Sequence, residues 1–294
     1  LLLSKEKPWG LILFKRNIKS ILQIKNLIKN IKKITKDKKF LILIDEEGST
    51  VSRLKGIINH NFEANYFGKL YKLDKKIATT LYKNYLKTLC DNLKDIGINI
   101  NTIPVLDVLR INTNDIIGKR SFSKDKDIVR DLGKITIKEC HFNKIVTVIK
   151  HIPGHGCSTI DSHQKLPKVN LNIRTLNEID FYPFKYTKAK LAMTAHILYS
   201  KIDSKNVSTF SKKIINEIIR KKIGFKGIIM SDDISMKALK YDLITNAKKS
   251  LLAGCNLVLY CSGNIKDNFK LIKSVPYIDQ FTSKKTSEIY KILR

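Results

Sequence analysis

IVTVIKH at positions 145–151, running on into IPGHGCSTIDSH up to position 163, decides how this sequence is read. Five β-branched residues in a row read as a strand buried on both faces, and the run stops at Lys150 and His151. Pro153, Gly154 and Gly156 follow, as a strand turning sharply into a loop requires. Three other runs end in the same way. FLILID at 40–45 closes on Asp45, LAMTAH at 191–196 on His196, and GIIMSD at 227–232 on Asp232. Packing alone rarely sets a chemically competent side chain at the end of four strands. A (β/α)8 TIM-type barrel does so as a rule, because its site is assembled from the C-terminal ends of its strands.

The rest of the chain agrees with strand–helix alternation. GLILF at 10–14, residues 98–104 and residues 256–260 supply further strands. Residues 17–34, 77–93, 211–222 and 235–252 carry apolar residues near helical spacing. In the second of these, Ile77, Leu81, Tyr85, Leu89 and Leu93 mark one side, widened by Tyr82 and Leu86. No linker interrupts the pattern, so residues 1–294 read as a single α/β domain. An open doubly wound sheet is the competing architecture, but it usually announces itself with a glycine-rich phosphate loop. Neither G-x-G-x-x-G nor G-x-x-x-x-G-K-[ST] occurs. Seven strands are counted rather than eight, and the missing first strand is expected to precede Leu1.

Composition narrows the function classes. Lysine and arginine total 56 against 26 acidic residues, a formal charge of +30. Of the basic residues 48 are lysine and 8 arginine, spread from Lys5 to Lys291 on polar helix faces. A nucleic-acid binder would concentrate arginine and aromatic residues on one face, so no specific nucleic-acid partner is expected. The apolar runs are too short for a membrane span, and the opening Leu1-Leu2-Leu3 is too short for a secretory signal. A soluble, cytoplasmic protein is expected. Five scattered cysteines without a Cys-x-x-Cys suggest reduced thiols rather than a disulfide framework or a zinc site.

Chemistry concentrates in two places. The segment 150–163 holds His151, His155 and His163, with Asp161 two residues before His163. The three histidines could in principle converge on a metal, but the reading preferred pairs Asp161 with His163. A carboxylate beside an imidazole favours its protonated form and fixes its orientation, which suits a proton shuttle near neutral pH. The second place is Met230-Ser231-Asp232-Asp233. Capping a following helix explains one of these aspartates but not both.

Taken together, these segments resemble glycoside hydrolase family 3, specifically its single-domain bacterial β-N-acetylhexosaminidases of peptidoglycan recycling. The resemblance runs through PWGLILFKRNI (8–18), LILIDEEGSTVSRLKG (41–56), INTIPVLDV (100–108), IIGKRSFSKD (116–125), KHIPGHG…DSH (150–163), AMTAHILY (192–199) and GFKGIIMSDDISMKAL (224–239), in that order. It implies that Asp232 is the catalytic nucleophile, His163 the acid/base and Asp161 its supporting aspartate. It implies that Asp45, Arg53, Arg120, Lys150 and His151 hold an N-acetylglucosamine ring. It implies a monomer acting on a small carbohydrate (a muropeptide), with no metal and no cofactor.

Chemistry is consistent with those roles. Cations at Arg120 and Lys150 would lower the pKa of nearby carboxyls and keep Asp232 ionised. His163, on a flexible loop, would assemble the site when the loop closes over the sugar. His196 reads as a hydrogen-bonded neighbour of the pocket, His155 as a loop-stabilising residue, His60 and His141 as residues without a chemical task, and Asp107 and Asp233 as structural. The sequence departs from the family at Ser49 and Thr50, where glycine and often arginine are usual, and at Lys119, which is often acidic. If position 49 required a left-handed backbone, Ser49 would cost ~1 kcal/mol. Two alternatives stay open: a β-glycosidase of other sugar preference or a phosphorylase, and a non-catalytic copy of the fold.

Overall fold

Strand-forming and amphipathic runs alternate in space as they do along the chain. The computed structural model describes residues 2–58, 62–111, 113–162 and 164–294. Its strands are β1 (Gly10–Leu13), β2 (Leu41–Ile44), β3 (Ile100–Asn101), β4 (Val146–Ile152), β5 (Lys168–Val169), β6 (Leu191–Thr194), β7 (Leu198–Tyr199), β8 (Ile228–Asp233) and β9 (Leu257–Leu259). Seven of them form one sheet in the order β1-β2-β3-β4-β6-β8-β9, every pair parallel, while β5 and β7 form a separate parallel pair. All seven coincide with the runs read as strands from the sequence. Because every strand points the same way, Asp45, Lys150, His151 and Asp232 leave the sheet at one rim.

The strands are apolar on both faces because both faces are covered. Leu41, Leu43, Val146, Val148, Leu191, Met193, Ile228 and Met230 form one cluster, closed by Ile289 near the C-terminus. Their alternates Ile42, Ile44, Ile149, Ala192 and Ile229 belong to a larger cluster shared with the helices. The sheet is curled. Arg16, just after β1, donates to the carbonyl oxygen of Cys261, just after β9, so the two ends of the strand order stand side by side. Among the described residues no ladder joins β1 to β9, and the sheet is a half-barrel rather than a closed ring of eight strands.

Helices α1 (Leu2–Lys5), α2 (Ile21–Thr35), α3 (Ala64–Leu73), α4 (Lys75–Ile96), α5 (Lys126–Phe142), α6 (Ile173–Glu178), α7 (Leu243–Ala253), α8 (Ile265–Ser274) and α9 (Gln280–Ile292) precede, connect or follow the strands, with a π-helical segment at Ile214–Lys222. Side-chain caps start most of them: Ser20 for α2, Asp74 for α4, Asp125 for α5, Asp242 for α7 and Asp279 for α9. None among the described residues is long and apolar enough to cross a membrane.

The helical stripes need correction. In α4 the buried residues are Ala78, Tyr82, Leu86, Leu89, Cys90, Leu93 and Ile96, whereas Ile77 and Leu81 are exposed. Periodicity gives the spacing of a stripe. Which flank is covered depends on the neighbours, here α3 and α5. For the same reason Ile21 and Leu22 of α2 face solvent while Ile24, Ile28 and Ile31 are buried. The helix read over 235–252 begins only at Leu243, because Asp233 accepts from both the N–H and the hydroxyl of Ser235 and folds that stretch into a turn.

Candidate active site

The loop leaving β2 folds around a buried acid. Glu46 is fully buried and accepts the backbone N–H groups of Arg53 and Leu54 at 2.8 and 3.0 Å, which brings residues 46–54 back over the strand end. That turn carries the Arg53 side chain to Asp45, whose carboxylate it meets at 2.8 Å. Thr102, after β3, donates to the other oxygen of Asp45, and Lys150 Nζ from β4 lies 3.4 Å from it. Burial by itself raises the pKa of Asp45, but the charges of Lys150 and Arg53 and the Thr102 hydroxyl outweigh it and hold the carboxyl well below its usual range.

Glu47 ties this cluster to a second one. Its two oxygens receive Arg120 Nε at 2.7 Å and Nη2 at 2.9 Å, and one of them lies 2.5 Å from Lys150 Nζ. Burial pushes the Glu47 pKa up, and Arg120 and Lys150 together bring it down to about 2. Burial pulls the other way on Arg120, but Glu47 raises its pKa above the usual value.

The loop after β4 is pinned from beneath. Asp107, fully buried, accepts the ring Nδ1–H of His151 at 2.7 Å and the backbone N–H of His155 at 2.6 Å. A Cβ on Gly156 would sit 1.8 Å from the carbonyl oxygen of Val108, so only glycine lets the two loops approach this closely. Thr113 donates to the Gly156 carbonyl at 2.5 Å, Asn114 N–H to that of Ser158 at 3.0 Å, and Tyr199 to that of Gly154. Asp161 is half-buried farther along this loop, its carbonyl accepting from Gln164 and Lys165. His163 and His60 lie outside the described residues.

Asp232, half-buried near the end of β8, accepts the N–H of Asp233 at 2.7 Å. Burial raises its pKa, but His151, His196, the Asp233 N–H and Lys150 outweigh burial and lower it. The nearest electrostatic support thus comes from His151 and His196 as well as the expected Lys150, while Arg120 is engaged by Glu47. His196 is buried with both ring nitrogens occupied, Nδ1 by Thr209 at 2.7 Å and Nε2 by the Asp233 carbonyl at 3.1 Å. Ser49 does not have a left-handed backbone, so the strain expected there does not arise; its hydroxyl donates to Glu63.

The structure therefore joins Asp45, Arg53, Arg120 and Lys150 in one hydrogen-bonded network, with His151 at the same rim and near enough to Asp232 to lower its pKa. Glu47 and Thr102 were not singled out from the sequence. A third consecutive acid, two residues beyond a strand-terminal aspartate in Asp45-Glu46-Glu47-Gly48, was the signal available for Glu47.

Residues 2–286 match the model of the glycosyl hydrolase family 3 N terminal domain. The chain belongs to glycosyl hydrolase family 3. As a family 3 glycoside hydrolase it is 32% identical over 282 residues to a beta-hexosaminidase of Actinobacillus succinogenes, covering 92% of this chain and 80% of that protein. It is 32% identical over 265 residues to a beta-hexosaminidase of Nitrosomonas eutropha, covering 88% and 75%. Among solved structures, NagZ from Neisseria gonorrhoeae in complex with N-trifluoroacetyl-D-glucosamine superposes with a TM-score of 0.87 at 29% identity, covering 98% of this family 3 chain and 84% of that one. The beta-N-acetylglucosaminidase from Thermotoga maritima superposes with a TM-score of 0.79 at 26% identity, covering 99% and 63%.

Proposed function

We propose that this chain is a retaining β-N-acetylglucosaminidase that releases terminal β-linked N-acetylglucosamine from peptidoglycan fragments. Asp232 attacks the anomeric carbon, and the bond to the departing oxygen breaks as His163 gives that oxygen a proton. Water then attacks the glycosyl-enzyme, returns a proton to His163 and frees Asp232, so that two inversions leave the configuration retained. Asp161 orients His163. Asp45 accepts from sugar hydroxyls, a task its two acceptor oxygens suit, with Arg53, Arg120, Lys150 and His151 around the ring. In this reading the enzyme works in the cytoplasm, as a monomer, on a muropeptide.

One observation carries the proposal: Asp232 leaves its strand at the rim that holds the Asp45–Arg53–Lys150 cluster, with its pKa lowered. An ionised carboxylate at a rim rich in polar side chains is what nucleophilic attack on a glycoside needs. The beta-hexosaminidase names of the relatives and the N-trifluoroacetyl-D-glucosamine complex of NagZ support the choice of sugar. The test is release of chromophore from an N-acetyl-β-glucosaminide, with the first-formed anomer read by NMR. The β-anomer is expected. A folded chain that releases nothing, or releases the α-anomer first, overturns the reading.

A further inference from the structure

Two cations of the site, Arg120 and Lys150, are buried to 8% and 2% exposure and reach the same carboxylate. Like charges so close and so poorly hydrated repel strongly unless a counter-charge lies between them. We infer that Glu47 is a positioning residue, which sets Arg120 and Lys150 in place and, by offsetting their charge together with Asp45, keeps anions out of the sugar pocket. The inference rests on the function proposed above and extends it to what the pocket refuses.

The bonds account for nearly all the donors. An ammonium group has three hydrogens, and Lys150 Nζ has three acceptors: Glu47 at 2.5 Å, Thr102 at 2.8 Å and Asp45 at 3.4 Å. Arg120 directs Nε and Nη2 at Glu47 and Nη1 at the carbonyl oxygen of Ile116, 2.9 Å away. What Arg120 has left are two N–H groups aimed in fixed directions, on a cation already matched by a carboxylate. Such donors suit the neutral hydroxyl and acetamido oxygens of a sugar. They suit inorganic phosphate poorly, because a bound phosphate would have to compete with Glu47 for both cations. A formal charge of +30 would otherwise invite phosphate as the acceptor in place of water. Glu47 thereby selects hydrolysis over phosphorolysis.

The experiment compares wild type with Glu47→Gln and Glu47→Asp. Glutamine keeps the shape and removes the charge; aspartate keeps the charge and shortens the reach. Two readouts are taken at constant ionic strength: KM and kcat on a chromogenic N-acetyl-β-glucosaminide, and binding of inorganic phosphate by calorimetry. Wild type should not bind phosphate at millimolar concentration. Glu47→Gln should raise KM at least tenfold and bind phosphate at least tenfold more tightly, with phosphate competing against substrate. Glu47→Asp should raise KM without gaining phosphate affinity, and it keeps the test alive if the glutamine variant does not fold. Tight phosphate binding by wild type, or a Glu47→Gln variant with unchanged KM and no phosphate affinity, overturns the inference. Because calorimetry needs no turnover, an inactive wild type would count against the proposed activity while the phosphate comparison still judges Glu47.

Discussion

Asp107 accepts the Nδ1–H of His151 at 2.7 Å from beneath the C-terminal rim of the sheet, and the same carboxylate holds the backbone N–H of His155. Its pKa is lowered, so it accepts only, and the proton between it and His151 belongs to the imidazole. The ring is thus fixed in orientation through its Nδ1 edge. Asp107→Asn offers one acceptor where three N–H groups converge and turns an amide N–H toward the others. The variant should lose about 2–4 kcal/mol of stability in urea denaturation, and kcat/KM should fall roughly 10–100-fold as His151 loses its fixed orientation. Wild-type kcat/KM in a folded Asp107→Asn variant would show that the His151 orientation is irrelevant to turnover.

Asp232→Ala should remove both chemical steps and lower kcat by about 10⁴-fold or more. His163→Ala should differ in kind. It should slow substrates with poor leaving groups far more than aryl glycosides with good ones, since a good leaving group needs little protonation. Steady-state kinetics on a pair of substrates of different leaving-group pKa decides this. Equal losses on both, with the first step shown by burst kinetics to limit the rate, contradict the acid role.

Phe14 sets the far side of Arg53. The Arg53 and Arg16 guanidinium groups lie 4.9 and 4.7 Å from its ring centroid, while Arg53 reaches Asp45 and Arg16 reaches the Cys261 carbonyl. Phe14→Leu removes the π-face, worth about 1 kcal/mol at a partly exposed site, and should raise KM roughly fivefold with little change in kcat. Phe14→Tyr should restore it. An unchanged KM in Phe14→Leu would mean that the Asp45 carboxylate alone aligns Arg53.

Acid should unfold the protein early. Burial holds the pKa of His155 and of His141 down to about 4, below the ordinary 6.5. Between those values the unfolded chain binds protons that the folded chain does not, so stability rises with pH across the window and is lost as pH falls through it. Each histidine contributes up to about 3 kcal/mol to that loss. Glu47, held down to about 2, adds a further loss only below its ordinary 4.5. Urea denaturation at about pH 7, 6 and 5 should trace the decline, and His141→Asn should flatten it. A wild-type stability that is constant over that range refutes the assignment.

Much of the fold was legible because parallel strands covered on both faces have to be continuous apolar runs. Most of the sheet strands are such runs, and each breaks where the chain emerges at the rim; β3 (Ile100–Asn101) is the exception, with Asn99 and Asn101 alternating with isoleucine. The helix stripes were less legible: Ile77 and Leu81 have the right spacing for a core face yet stand in solvent, since the covered flank of α4 is set by α3 and α5. Glu47 could be seen as an acid near a strand end, but its partners lie 73 and 103 residues away.

Local sequence determined what kind of side chain ends each strand, because hydrophobic periodicity and turn residues act over a few positions. It determined the strand–helix alternation and the candidate residues Asp45, Lys150, His151 and Asp232. Tertiary structure alone decided which charge meets which. Curling the sheet brings β1 beside β9 and sets Glu47 between Arg120 and Lys150, and ion pairing depends on distances of a few ångströms between residues that the chain order keeps far apart.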